Sequence, residues 1–279
     1  MKSSINKRYA QELAAESNIA DIAEAGSLWQ AMRREVQAEA DREPILATFL
    51  HATVLNHDSL EGALSFMLAS KMETPVISNM AIREIIEDAI AADSSIIHAA
   101  EIDIKATRNR DPACEFYSTP FLYFKGFHAL QTHRVAHWLW AEGRESLALF
   151  LQNQISLTFG VDIHPAARIG CGIMLDHATG LVIGETAVVE DDVSILHGVT
   201  LGGTGKDSGD RHPKIRRDVL LGANASVIGN IEVGEGAKVG AGSVVMSDVP
   251  AHVTVTGVPA RVVGRPKCDS PASDVDHSL

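Results

Sequence analysis

The hydrophobic rhythm of the chain changes near Gly160. Upstream, apolar residues recur three and four positions apart, as in Ile45-Leu46-Phe49-Leu50-Val54, in Ile82-Ile85-Ile86-Ile90 and from Phe121 to Phe159, where only Gly126 and Gly143 intervene. That spacing puts them on one face of an α-helix, and Pro44, Pro75, Pro112 and Pro120 fall between the runs, where helices stop. Roughly five to eight packed helices are expected over 1–159. Downstream, aliphatic residues recur every six positions: Ile163, Ile169, Leu175, Leu181, Ala187, Val193 and Val199, then Ile215, Leu221, Val227, Val233, Val239 and Val245. From Val199 to Ile215 is 16 residues, one period of six plus ten, which predicts a ten-residue insertion and a loop over 203–214.

A period of six fits neither the 3.6 of a helix nor the 2 of a half-buried strand, so it marks a repeat architecture. In a parallel β-helix each hexapeptide forms one flat face of a triangular coil, with its aliphatic residue inside the prism and small residues at the corners. Aromatic rings do not fit so thin a prism, and all 14 aromatics lie in 1–159 while 18 of the 22 glycines lie in 160–279. Tight corners call for residues that tolerate positive φ, which gives Gly222, Asn224, Gly229, Asn230, Gly234, Gly236, Gly240 and Gly242 a role. A glycine-rich β-sandwich is the competing fold, but its strands alternate with period two and do not hold a six-residue register over so many beats. The expected organisation is therefore α+β: an N-terminal all-helical domain at 1–159, a β-helix of hexapeptide repeats at 160–265, and a flexible polar tail at 266–279.

The formal charge of −12 excludes a nucleic-acid partner, which needs a basic stripe to neutralise phosphates. One basic cluster, Lys206, Arg211, Lys214, Arg216 and Arg217, sits in and beside the loop; it is either a solvated loop or an attractor for a small phosphorylated ligand. No apolar stretch is long enough to span a membrane and the N-terminus lacks a signal h-region, so the expected location is the cytoplasm. Cys114, Cys171 and Cys268 are too few and too widely spaced for a disulfide framework or zinc knuckle.

Twelve histidines invite inspection. His133 and His137 form H-x-x-x-H, but Arg134 stands where a zinc metalloprotease needs Glu, and no metal is expected. His164, His177, His197 and His212 lie in the repeat region. With about 18 residues per coil, position 180 would stack over 162, which leaves His177 three residues short of Asp162 on the next rung; if the two side chains meet around the corner, the carboxylate would orient the imidazole as in a base dyad.

The hexapeptide register, the insertion, and the motifs Asp162-Ile163-His164-Pro165, Asp176-His177-Ala178-Thr179-Gly180, Gly202-Gly203-Thr204-Gly205-Lys206 and Asp210-Arg211-His212-Pro213-Lys214 resemble bacterial serine O-acetyltransferases. So do Arg110-Asp111-Pro112-Ala113 and Tyr117-Ser118-Thr119-Pro120 in the helical half. The resemblance extends from about residue 28 to 265. It implies a left-handed parallel β-helix, trimers with sites between neighbouring subunits, and helical domains that join two trimers into a hexamer.

It also implies acetyl transfer from acetyl-CoA, a co-substrate rather than a bound cofactor, to the hydroxyl of L-serine. By this similarity His177 is the general base and Asp162 its orienter. Asp111 and Asp176 face the serine ammonium, while Arg211 and His212 face its carboxylate. Gly203, Thr204, Ala223, Lys238 and Ala241 match the acetyl-CoA groove. Direct transfer agrees with the absence of a G-x-S-x-G elbow. Cysteine is implied as a feedback inhibitor. The family's tail often ends in Ile and binds O-acetylserine sulfhydrylase, whereas this chain ends Asp276-His277-Ser278-Leu279, a departure from that pattern. Two other functions fit the repeat: a hexapeptide acetyltransferase acting on a sugar or antibiotic hydroxyl, and a zinc-dependent carbonic anhydrase, which would need three imidazoles on one metal.

Overall fold

The computed structural model describes residues 27–205 and 208–276, so Lys206 of the basic cluster and His277 to Leu279 lie outside the described residues. Among the described residues, eight α-helices precede the repeats: α1 Leu28–Arg42, α2 Ala47–Leu50, α3 Leu60–Met72, α4 Asn79–Ala92, α5 Ser95–Arg110, α6 Ser118–Tyr123, α7 Lys125–Ala141 and α8 Glu145–Phe159. Ser27, Ser59 and Ser78 cap α1, α3 and α4 by accepting from the amides of Gln30, Gly62 and Ala81. Contrary to expectation, Pro120 lies inside α6. It is the third residue of that helix, where the missing N–H removes no intrahelical bond. The α8 helix stops at Gly160, whose φ of 66° supplies the left-handed turn into the first strand.

The repeats wind into a parallel β-solenoid with three faces. The first face stacks β1 Val161–Ile163, β4 Leu181–Ile183, β7 Thr200–Gly202, β10 Ser226–Ile228 and β13 Val244–Val245. The second stacks β2 Arg168–Ile169, β5 Val188–Val189, β8 Lys214–Ile215 and β11 Glu232–Val233. The third stacks β3 Met174–Asp176, β6 Ser194–Leu196, β9 Leu220–Leu221, β12 Lys238–Val239 and β14 Thr254–Gly257, which the antiparallel β15 Ala260–Gly264 extends. Ile163, Leu181, Val199, Ile215, Leu221, Val227 and Val239 are all buried along the axis. Corner glycines answer two different demands. Gly236 sits at φ 62°, whereas a Cβ on Gly222 would stand 2.6 Å from the Ala241 nitrogen of the next coil.

Coil length is not uniform, and this corrects the sequence reading. Asp162 pairs with Val182, Val182 with Thr200, Thr200 with Ser226 and Ser226 with Val244, giving coils of 20, 18, 26 and 18 residues. The ten surplus residues are therefore split: eight form the loop between β7 and β8, and two are inserted between β3 and β4. Each hexapeptide carries two inward aliphatic positions, such as Leu181 and Ile183, so a slip of two residues leaves the six-residue beat intact. The extra pair surfaces as His177 and Ala178, at φ of 54° and 57°. Left-handed backbone at two consecutive non-glycine residues costs on the order of 1–2 kcal/mol each, and such strain gathers at working sites.

The open end of the first coil would leave unpaired backbone groups, and the helical region covers it. From α7, Arg134 donates to the carbonyls of Ile169 and Gly170 at 3.2 and 2.8 Å, and His137 Nδ1 donates to Pro165 O at 2.7 Å. From α5, the fully buried Asp103 accepts from the Ile173 amide at 2.8 Å and from Gln131 and Arg134. Gly126, near the start of α7, lies so close that a Cβ there would stand 2.2 Å from Leu175 O. Gly126→Ala is expected to cost about 1–3 kcal/mol by forcing helix and coil apart, measured as a lowered thermal midpoint.

Residues 265–276 differ from the flexible tail expected of them. A short helix α9, Pro271–Asp274, packs against α5, and Ala272 is buried. Ser194 Oγ donates to Ala272 O at 2.7 Å and the Ala272 amide donates to Asp218 O at 3.3 Å. The small side chain of Ala272 is what lets this segment lie down on the prism.

Candidate active site

The candidate residues occupy the two borders of the first face. At the border entered from the third face, the corner 177–180 carries His177, the corner above it carries His197, and Ala223 and Ala241 continue the column. The Asn224 amide bonds to His197 O and the Gly242 amide to Ala223 O, so these corners stack directly. His177, on the two-residue insertion, has a side chain 77% exposed and lies 3.7 Å from Asp176 Oδ1. Its ring meets that of His197 edge-on with centroids 6.0 Å apart.

The expected Asp162–His177 contact is not formed within the chain. The 20-residue first coil puts Val182, not residue 180, over Asp162, and Gln152 of α8 donates to Asp162 Oδ1 at 2.7 Å. Asp176 is the carboxylate beside His177.

The opposite border, leading to the second face, holds Arg211 and His212. Arg211 donates to Glu185 Oε2 at 2.6 Å, and Gly203 lies beneath its stem, where a Cβ would meet Arg211 Cγ at 3.3 Å. The ion pair with Arg211 lowers the Glu185 carboxyl below its ordinary pKa. The His212 ring is pressed on Gly184, where a Cβ would stand 2.1 Å from its Nε2, and it is only 7% exposed. Burial and then Arg211 push its pKa below the usual imidazole value. Next to this group, His164 packs edge-on against Trp140 of α7 at 5.0 Å and accepts from the Ala166 amide. Thr204 is exposed beyond Gly203.

Two further predicted residues stand elsewhere. Asp111 is the C-cap of α5 and accepts from the Ala113 amide at 2.8 Å, while neighbouring Arg110 anchors the helix end to Gly172 O, Ser194 and Asp192. Lys238 is 6% exposed on β12 of the third face.

Within the basic cluster, Lys214 pairs with Asp210, and Arg216 lies between Glu190 and Glu232. Within one chain His212 lies across the face from His177 and His197. The sequence reading missed Glu185, Thr186 and Gln152. Gly184-Glu185-Thr186-Ala187 reads as one more hexapeptide corner, and its only signal is a charged residue beside the glycine.

Known proteins agree with this architecture. Residues 28–132 match the family model for the serine acetyltransferase N-terminal region, and 212–246 match the bacterial transferase hexapeptide model. The serine acetyltransferase of Salmonella typhimurium is 62% identical over 250 residues, 90% of this chain and 92% of that protein. A solved serine acetyltransferase in complex with cysteine superposes with a TM-score of 0.89 at 57% identity, covering 90% of this chain and 98% of the other. The Neisseria gonorrhoeae enzyme in complex with serine gives 0.83 at 57%, covering 84% and 97%. The Brucella abortus enzyme in complex with coenzyme A gives 0.85 at 53%, covering 86% and 96%. A helical region sealing a hexapeptide solenoid, matched over 84–90% of its length by such relatives, is an acyltransferase, and the chain belongs to the serine acetyltransferase family.

Proposed function

We propose that the protein acetylates the hydroxyl of L-serine with acetyl-CoA, yielding O-acetylserine and CoA for cysteine biosynthesis in the cytoplasm. The observation that carries this reading is the division of its polar residues between the two borders of one prism face. A three-residue strand spans roughly 10 Å, wider than a serine molecule, so His177 and the Arg211–His212 pair of one chain cannot hold one substrate together. A cyclic trimer that sets one border against the opposite border of its neighbour unites them, and two trimers joined through their helical domains give a hexamer.

In such a site Arg211 and His212 bind the serine carboxylate while Asp176 and Asp111 face its ammonium. His177 takes the hydroxyl proton as the serine oxygen forms its bond to the thioester carbonyl. Collapse breaks the C–S bond, and the imidazolium returns the proton to the CoA thiolate, so no acyl-enzyme forms. Asp176, already beside the imidazole, stabilises the imidazolium; Asp162 reaches it only by exchanging Gln152. The acetyl-CoA arm runs past Gly203 and Thr204 of one subunit and the small column Ala223–Ala241 of the next, with Lys238 acting from beneath. Support comes from the relatives solved with serine and with coenzyme A. Cysteine carries the same ammonium and carboxylate as serine and competes for the same pocket, in line with the relative solved with cysteine.

The test follows thiol release from acetyl-CoA over a panel of amino acids and sugars. Selective response to L-serine is expected. Response to a sugar or antibiotic hydroxyl instead overturns the proposal.

A further inference from the structure

The hydroxyl of Thr186 has its hydrogen-bonding capacity fully assigned. It accepts from the backbone amides of Arg211 and His212 at 3.0 and 3.1 Å, which occupies both of its lone pairs. Its remaining contacts are His212 Nδ1 at 2.8 Å and the carboxylate of Asp210; both accept, so the hydroxyl is the donor and its single proton is shared between them. The Thr186 amide also points at Nδ1, at 3.2 Å. Two donors converge on that nitrogen, so Nδ1 carries no proton and Nε2–H is the tautomer present. A doubly protonated ring would set N–H against both donors. Beneath the ring, the missing Cβ of Gly184 makes room for it, since a Cβ there would stand 2.1 Å from Nε2.

We infer that Thr186 is a positioning residue for the transfer reaction: it ties the base of the loop between β7 and β8 to β4–β5 and locks His212 as a neutral Nε2–H donor toward the serine carboxylate. This rests on the proposed role of His212 at the serine pocket. Thr186 touches no substrate; it acts through His212 and the Arg211 backbone. The arrangement divides labour between two neighbouring side chains. Arg211, tied to Glu185, supplies the permanent charge, and His212 supplies a directional donor that burial and Arg211 bias toward the neutral ring. The charged and titratable groups that face His212 are Arg211, Glu185, Lys214 and His164. Arg211 and Lys214 oppose protonation and Glu185 favours it.

Three variants test the inference. Thr186→Val keeps the volume and removes the hydroxyl, Thr186→Ser restores it, and His212→Asn reports on the underlying pocket assignment. For Thr186→Val, the KM for serine should rise by about 10-fold or more, with the KM for acetyl-CoA and the thermal midpoint little changed. Loss of the O–H donor should also raise the pKa of His212, so that in ¹⁵N spectra of histidine-labelled protein Nδ1 protonates at a higher pH than in the parent. Thr186→Ser should restore both readouts. If His212→Asn raises the serine KM while Thr186→Val leaves both KM and the Nδ1 signal as in the parent, the clamp is wrong. If His212→Asn leaves the serine KM unchanged, the pocket assignment fails, and the clamp's link to catalysis falls with it. A Thr186→Val protein that melts early and is not rescued by Thr186→Ser would reduce Thr186 to a packing residue, which also overturns the inference.

Discussion

Replacing His177 by Ala is expected to lower kcat by at least about two orders of magnitude, the usual worth of a positioned general base. The variant should keep its assembly, because the side chain is 77% exposed and packs only against the edge of His197. Steady-state thiol release together with gel filtration measures both. The carboxylate arms sharpen the result. With Asp176 at 3.7 Å from the ring and Asp162 held by Gln152, Asp176→Asn should depress turnover more than Asp162→Asn in the resting arrangement. The reverse order would mean that Asp162 exchanges partners when substrate binds. Near-normal turnover in His177→Ala would remove His177 from the mechanism and leave its strained corner unexplained.

The second large effect lies far from the chemistry. Asp103→Ala should destabilise the protein by about 3–5 kcal/mol, because it strips the partner from the buried Arg134 guanidinium and leaves the Ile173 amide without an acceptor. Urea unfolding followed by far-ultraviolet circular dichroism reads the change. Asp103→Asn keeps an oxygen for the Ile173 amide and should lose less. Equal losses in the two variants would show that the charge on Asp103, not the capping bond, holds α5 and α7 to the first coil. A loss under about 1 kcal/mol in both would mean that the solenoid end needs no such cover.

Particular residues show how far the sequence could be read. The inward run of Ile163, Leu181, Val199, Ile215 and Val227 was legible because burial along a prism axis repeats with the hexapeptide, and a local period survives without knowledge of contacts. The helical half was legible for the same reason at spacings of three and four. Asp162 was misplaced because the coil length was taken as uniform. Two extra residues at His177 and Ala178 cannot be distinguished by a beat in which neighbouring inward positions are both aliphatic. Glu185 and Thr186 stayed hidden because their meaning depends on Arg211 and His212, which are more than 20 residues away in sequence and fold back over them.

By itself the sequence determined the two architectures, the place where one gives way to the other, and the family, through its motifs. These are properties of local periodicity and composition, and they need no knowledge of which residues meet. The tertiary structure alone decided that the ten surplus residues split into eight and two, and that Gln152 holds Asp162. It also decided that the terminal segment lies down on the prism, and that His177 and His212 occupy opposite borders of one face. Each of these depends on stacking register, where a shift of two residues moves a side chain from one partner to another without altering the pattern along the chain.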